Sequence, residues 1–92
     1  MKIKELLWDA WTENHLERKG IAVQGVYEVC VNEKCPPLIE KSRRGTLAIW
    51  GRTSAGAYLL VILAPRGNGS YYPVTARKMQ DIERRRYERW LR

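Results

Sequence analysis

This sequence predicts an α+β domain of two N-terminal helices, a sheet of about four antiparallel strands, and a C-terminal helix packed on that sheet. Three observations predict it. Helical spacing of apolar residues is confined to the two ends of the chain, β-prone stretches fill the middle, and Pro36-Pro37 marks the change from one regime to the other. At 92 residues the chain reads as a single domain over 1–92, able to bury roughly two thirds of its unfolded surface.

The elements follow in order. KIKELL (2–7) satisfies both the helical and the strand period over so few residues that it is either a short strand or the lead-in to a helix. Asp9 is a candidate N-cap for the helix AWTENHLERK, because a short carboxylate accepts from the free amides of a first turn, and Gly20 ends that helix. Trp11, His15 and Lys19 recur along it at i, i+4 and i+8. A second helix is expected over 22–30, with Val23, Val26, Tyr27 and Cys30 on one face and Gly25 as its weak point.

Past the two prolines come PLIEK, TLAIWGR, AYLLVILA and SYYPVTA, separated by SRRG, SAG and PRGNG. The third of these is apolar on both faces, as a central strand is. Pro73 has no N–H to give a ladder, so its strand should lie at an edge or carry a bulge. Thr75 is then positioned to cap the last helix, 77–92, on which Met79, Ile82 and Trp90 form an apolar stripe. Arg86 falls on that same stripe, with Glu83 beside it. An ionised group on a core face needs a partner, either an internal ion pair or a charged ligand.

Charge narrows the function. The net charge is +7, yet residues 1–40 carry five Lys/Arg against seven Asp/Glu, while 41–92 carry twelve against three, about +9. Arginine dominates that excess, and its planar fork suits phosphate, so nucleic acid or an acidic protein is the expected partner. No run approaches the ~18 apolar residues of a membrane span, and the N-terminus lacks a signal-peptide pattern, so a cytoplasmic location and no membrane partner are expected. Cys30 and Cys35 with the single His15 form no metal-ligand pattern, so neither metal nor cofactor is expected; reduced thiols are the simplest reading, and a local disulfide is the alternative.

Five short motifs occur in order: Trp8-Asp9, Arg18 through Ile21, Gly51-Arg52-Thr53, Thr75-Ala76-Arg77, and Glu83-Arg84-Arg85-Arg86-Tyr87. In this order and spacing, over nearly the whole chain, the sequence resembles the BrnT family of small bacterial toxins. The resemblance implies a RelE-like fold, metal-independent endoribonuclease activity within a type II toxin-antitoxin system, and a ribbon-helix-helix antitoxin (BrnA-like) as partner, through which oligomers mainly form. Two positions depart from the family pattern. Lys19 stands where the family has His, and Thr12 where an Asn is frequent, while His15 occupies a histidine position found in one branch.

Metal-free RNA cleavage needs a base for the 2′-OH, an acid for the 5′ oxygen and cations around the phosphorane. Arg52 and Arg77, at strand ends beneath the last helix, are the candidate phosphate binders; each is otherwise a surface arginine. Arg86 is a third candidate, or the partner of Glu83. Glu83 acts as base, orients an arginine, or forms an ion pair within its helix. Tyr87 donates to phosphate, stacks on a base, or belongs to the core. His15 is the natural acid or base near neutral pH, or a buried histidine satisfied by a carbonyl. Lys19 binds phosphate or serves the helix C-terminus, and Arg43 and Arg44 add non-specific RNA attraction. The second reading, of another class, is a catalytically silent RNA- or protein-binding module that uses the same basic face.

Overall fold

The computed structural model describes Ile3 and residues 5–32 and 34–92. In chain order it holds β1 (Glu5–Leu6), α1 (Ala10–Arg18), α2 (Val23–Val31), β2 (Leu38–Lys41), β3 (Leu47–Arg52), β4 (Tyr58–Gly67), β5 (Ser70–Lys78) and α3 (Asp81–Leu91). The strands form one sheet in the order β1-β5-β4-β3-β2. The α+β class and the helix-helix-sheet-helix order match the sequence reading. The strand count is five, and the sheet is mixed.

The fifth strand is the stretch that sequence left open between strand and helix. Glu5 and Leu6 pair in parallel with Ser70 and Tyr71, and two residues carry no period by which sequence can register that choice. The other pairs are antiparallel. The β4–β5 hairpin turns on Asn68-Gly69, both at positive φ (54° and 84°), which is the type I′ geometry that suits strand twist. Pro65, Arg66 and Gly67, expected in the turn, therefore continue β4.

Pro73 lies beside a bulge, as one of its two expected settings requires. Ile62 pairs with Thr75 but Leu63 pairs with Pro73, so Val74 is the extra residue. From that bulge β5 runs on to Lys78, which overturns Thr75 as the cap of α3. The cap is Gln80, in a reciprocal capping box with Glu83. The α1 cap is as expected: Asp9 accepts from Thr12 N–H at 2.8 Å, and Gly20, at φ 76°, ends the helix.

One sheet face carries the core. Leu47 and Ile49 of β3, Leu59, Val61 and Leu63 of β4, and Ala76 of β5 pack on Leu16, Ile21, Val26 and Val29 from α1, α2 and the turn between them. Gly51 belongs to this face because a Cβ there would stand 2.7 Å from Val29 Cγ1 and 3.1 Å from its carbonyl oxygen. The inner face of α2 is thus Val26 and Val29, whereas Tyr27, expected inside, is half exposed.

The opposite face receives α3, and here the expected stripe is wrong. Ile82 is 71% exposed and Trp90 46%, while Tyr87 is completely buried. Met79 precedes the helix altogether. The reason is chemical: this side offers Arg77 and Tyr58 from the sheet and the Cys35 and Pro36 carbonyls from the loop before β2, so the helix turns its hydrogen-bonding residues inward. Among the described residues, no helix is long and apolar enough to cross a membrane.

Candidate functional site

Strand alternation assembles the site. Arg52 faces Tyr58 across the β3–β4 pair, and Arg77 faces Leu60 across β4–β5, so side chains of both arginines leave the sheet on the face opposite the main core. Each lies near a strand end, and α3 lies over this side.

Arg77 is held by Glu83 in a bidentate pair, Nη1 to Oε1 and Nη2 to Oε2, both 2.7 Å. Glu83 Oε1 also accepts from Gln80 N–H at 2.8 Å, closing the capping box. The Arg77 hydrogen bonds, followed by the Gln80 amide, hold the Glu83 carboxyl at a pKa of about 2, and the same pair raises that of Arg77. Near neutral pH Glu83 is therefore a fixed carboxylate that orients an arginine; it is a poor proton acceptor. Of the alternatives open in sequence, the geometry selects this one.

Tyr87 is anchored rather than presented. Its hydroxyl lies 2.8 Å from the Pro36 carbonyl and 3.1 Å from that of Cys35, and burial pushes its pKa to about 12. Its ring meets Tyr58 edge-on and stacks with Trp90. A fully buried phenol touches no ligand, so its role is to pin α3 to the loop before β2.

Arg52 is the least committed of the four. Its guanidinium sits 5.4 Å from the centroid of Tyr58, and its Nε is buried without a hydrogen-bond partner among the described residues. It borders an open cleft of about 510 Å3 lined by Asn32, Lys34, Cys35, Arg52, Thr53 and Ser54. A buried donor lacking an acceptor is costly, and a guanidinium that borders an open cleft is a candidate contact for an anion. Asn32 shapes the cleft: its amide donates to the Arg52 carbonyl at 2.8 Å, and its Oδ1 accepts from Lys34 and Cys35 N–H, each at 3.0 Å.

The remaining candidates separate. Arg86 pairs with Glu40 of β2 at 2.5 Å and lies over Trp50, so its partner is Glu40 and not Glu83. His15 stands on α1, stacked on Trp11, and is not among the side chains gathered around Glu83. Lys19 Nζ donates to Thr75 Oγ1 at 2.9 Å and approaches the Ala76 carbonyl at 3.5 Å, tying the end of α1 to β5. Arg43 and Arg44 occupy a 3-10 turn before β3, at the opposite end of that strand from Arg52, and are exposed.

Sequence reasoning missed Asn32, Lys34 and Glu40. For Asn32 a signal existed, since an Asn just past a helix, in a loop that two prolines close four residues on, is suited to bond the backbone two residues ahead in an Asx turn. Glu40 had none, because its partner is 46 residues away. Among the described residues no three His, Cys, Asp or Glu converge as a metal site. Both cysteines are free, and burial raises the Cys30 thiol to about 12, which leaves it unreactive. No protein-family model matches the chain, and no curated protein matches it.

Proposed function

We propose that the protein is an endoribonuclease toxin of the BrnT kind, acting in the cytoplasm on RNA and held silent by a ribbon-helix-helix antitoxin. The observation that carries this reading is the presence of two arginines on one sheet face: Arg77, fixed in orientation by Glu83, and Arg52, which lines an open cleft and takes part in none of the ion pairs among the described residues. Attack of a 2′-OH on its adjacent phosphate forms the O2′–P bond and breaks the P–O5′ bond; with Glu83 ionised and Tyr87 buried, water takes the 2′-OH proton and supplies one to the departing 5′ oxygen, while negative charge builds on the phosphorane oxygens. Preoriented guanidinium groups stabilise that charge without reorganising, and such contacts are worth about 100-fold or more in rate each. Glu83 acts here as the positioning residue for Arg77.

Purified protein is incubated with RNA in the presence of a chelator. Cleavage is expected, and Arg77→Ala is expected to reduce it at least about 100-fold while the circular dichroism spectrum is retained. Undiminished cleavage or growth arrest in that folded variant would sink the reading.

A second reading has one observation in its favour. Glu83 held near pKa 2 and Tyr87 sealed in the core remove two of the proton-transfer candidates from this face. That suits a silent module that binds RNA or an acidic protein through the same arginines. RNA bound but not cut in the same assay selects it.

A further inference from the structure

The Trp11–His15 pair is not part of the arginine site and has no role in the core. Trp11 is 67% exposed, and its ring lies parallel to that of His15, with centroids 5.1 Å apart and planes inclined by 6°. Asn14 and Arg18 complete a groove of about 160 Å3 with them. These four positions recur at i, i+3, i+4 and i+7, so they share one side of α1. Thr12 and Leu16 point into the fold on a second side, and Glu13 and Glu17 lie more than about 100° round from the centre of the groove. The groove is free of acidic lining residues, and Arg18 takes part in none of the ion pairs among the described residues.

We propose that this groove is a stacking subsite for an unpaired nucleobase of single-stranded RNA. The base continues the Trp11–His15 stack on the outer face of the indole, the Asn14 amide meets its polar edge, and Arg18 holds a neighbouring phosphate. The Arg18 cation in a groove without acidic lining residues favours this occupant, and so does position. Lys19 follows Arg18 and fastens the end of α1 to Thr75 and Ala76 on the stretch of the β5 edge that β1 does not pair, so a strand gripped at Arg77 on the opposite face reaches α1 by crossing that edge. The inference rests on the RNA-directed reading above and extends it to a second contact remote from the reacting phosphate.

The test uses the whole chain and fluorescence anisotropy with two labelled oligomers of equal length: a 2′-O-methyl oligoadenylate, which lacks the attacking hydroxyl, and its abasic counterpart. Trp11→Ala is expected to weaken oligoadenylate binding about 5- to 100-fold and to leave abasic binding unchanged. Trp11→Phe, which keeps a ring, should restore most of the affinity, and Arg18→Gln should weaken both oligomers alike. Thermal melting checks that the exposed substitution leaves the fold intact. Wild-type affinity in Trp11→Ala, an equal loss on the abasic oligomer, or no binding by the wild type overturns the proposal. Trp11-dependent binding without RNA cleavage leaves the subsite standing and removes the nuclease; cleavage with Trp11-independent binding does the reverse.

Discussion

On one face of the sheet, Leu16, Val26 and Val29 close over Ile49, Val61 and Leu63, and every one of these side chains is completely buried. On the other, α3 buries only Tyr87 and otherwise holds on through Arg77–Glu83, Arg86–Glu40 and the Tyr58 hydroxyl on Glu88. Apolar burial is non-directional and contributes about 1.5–3 kcal/mol per large side chain, largely independent of pH. The contacts under α3 are directional, partly exposed and screened by salt, and each is worth about 2 kcal/mol or less. The first face fixes the fold. The second leaves polar groups within reach of water, which is where a phosphate site can be built.

The largest effect that tests this contrast is expected at Gly51. A methyl group there meets the Val29 side chain at 2.7 Å and its backbone oxygen at 3.1 Å, so α2 must shift. Gly51→Ala should cost about 2–3 kcal/mol in urea unfolding. Gly25, on the facing helix, has only ordinary contacts around an added Cβ, 3.6 Å to Thr53 and 3.8 Å to Leu59, so Gly25→Ala should be neutral or stabilising by up to about 1 kcal/mol. Equal losses at the two glycines would remove the claim that the helix layer is tight at one point and slack at the other.

The next effect is on the α3 side and depends on pH. Because the pKa of Glu83 is lowered from 4.5 to about 2 in the folded protein, its contribution is complete above about 4.5 and is lost as pH falls toward 2. With Arg77 about half exposed, we expect about 1–2 kcal/mol rather than the full shift. Stability measured by denaturant between pH 5 and 2.5 should fall less steeply in Glu83→Gln than in the wild type; parallel curves would refute the assignment.

Tyr87→Phe keeps the buried ring and removes the donor to the Pro36 and Cys35 carbonyls. About 1 kcal/mol should be lost. Smaller still is Glu40→Gln: the Arg86 pair is exposed on both sides, so the cost should stay below about 1 kcal/mol and shrink in high salt. A loss at Glu40 larger than that at Tyr87 would mean that ion pairing, and not the buried tyrosine, anchors α3.

Local signals determined much of this molecule. Asp9 and Gly20 bounded α1, the Pro36-Pro37 break separated helices from strands, the long apolar run became the central β4, and Pro73 announced its bulge; each depends only on neighbours along the chain. Arg52, Arg77, Glu83 and Tyr87 were legible as a group because strand alternation and one helix bring them to one side. Tertiary contact decided the rest. β1 exists because Tyr71 and Ser70 are there to pair with, α3 turned Tyr87 inward because the loop before β2 offered it two carbonyls, and Arg86 found Glu40 across the chain. Periodicity ranks which residues prefer burial, but it cannot tell a helix what chemistry waits on the surface it meets, and for α3 that surface mixed hydrogen-bonding groups with aromatic rings.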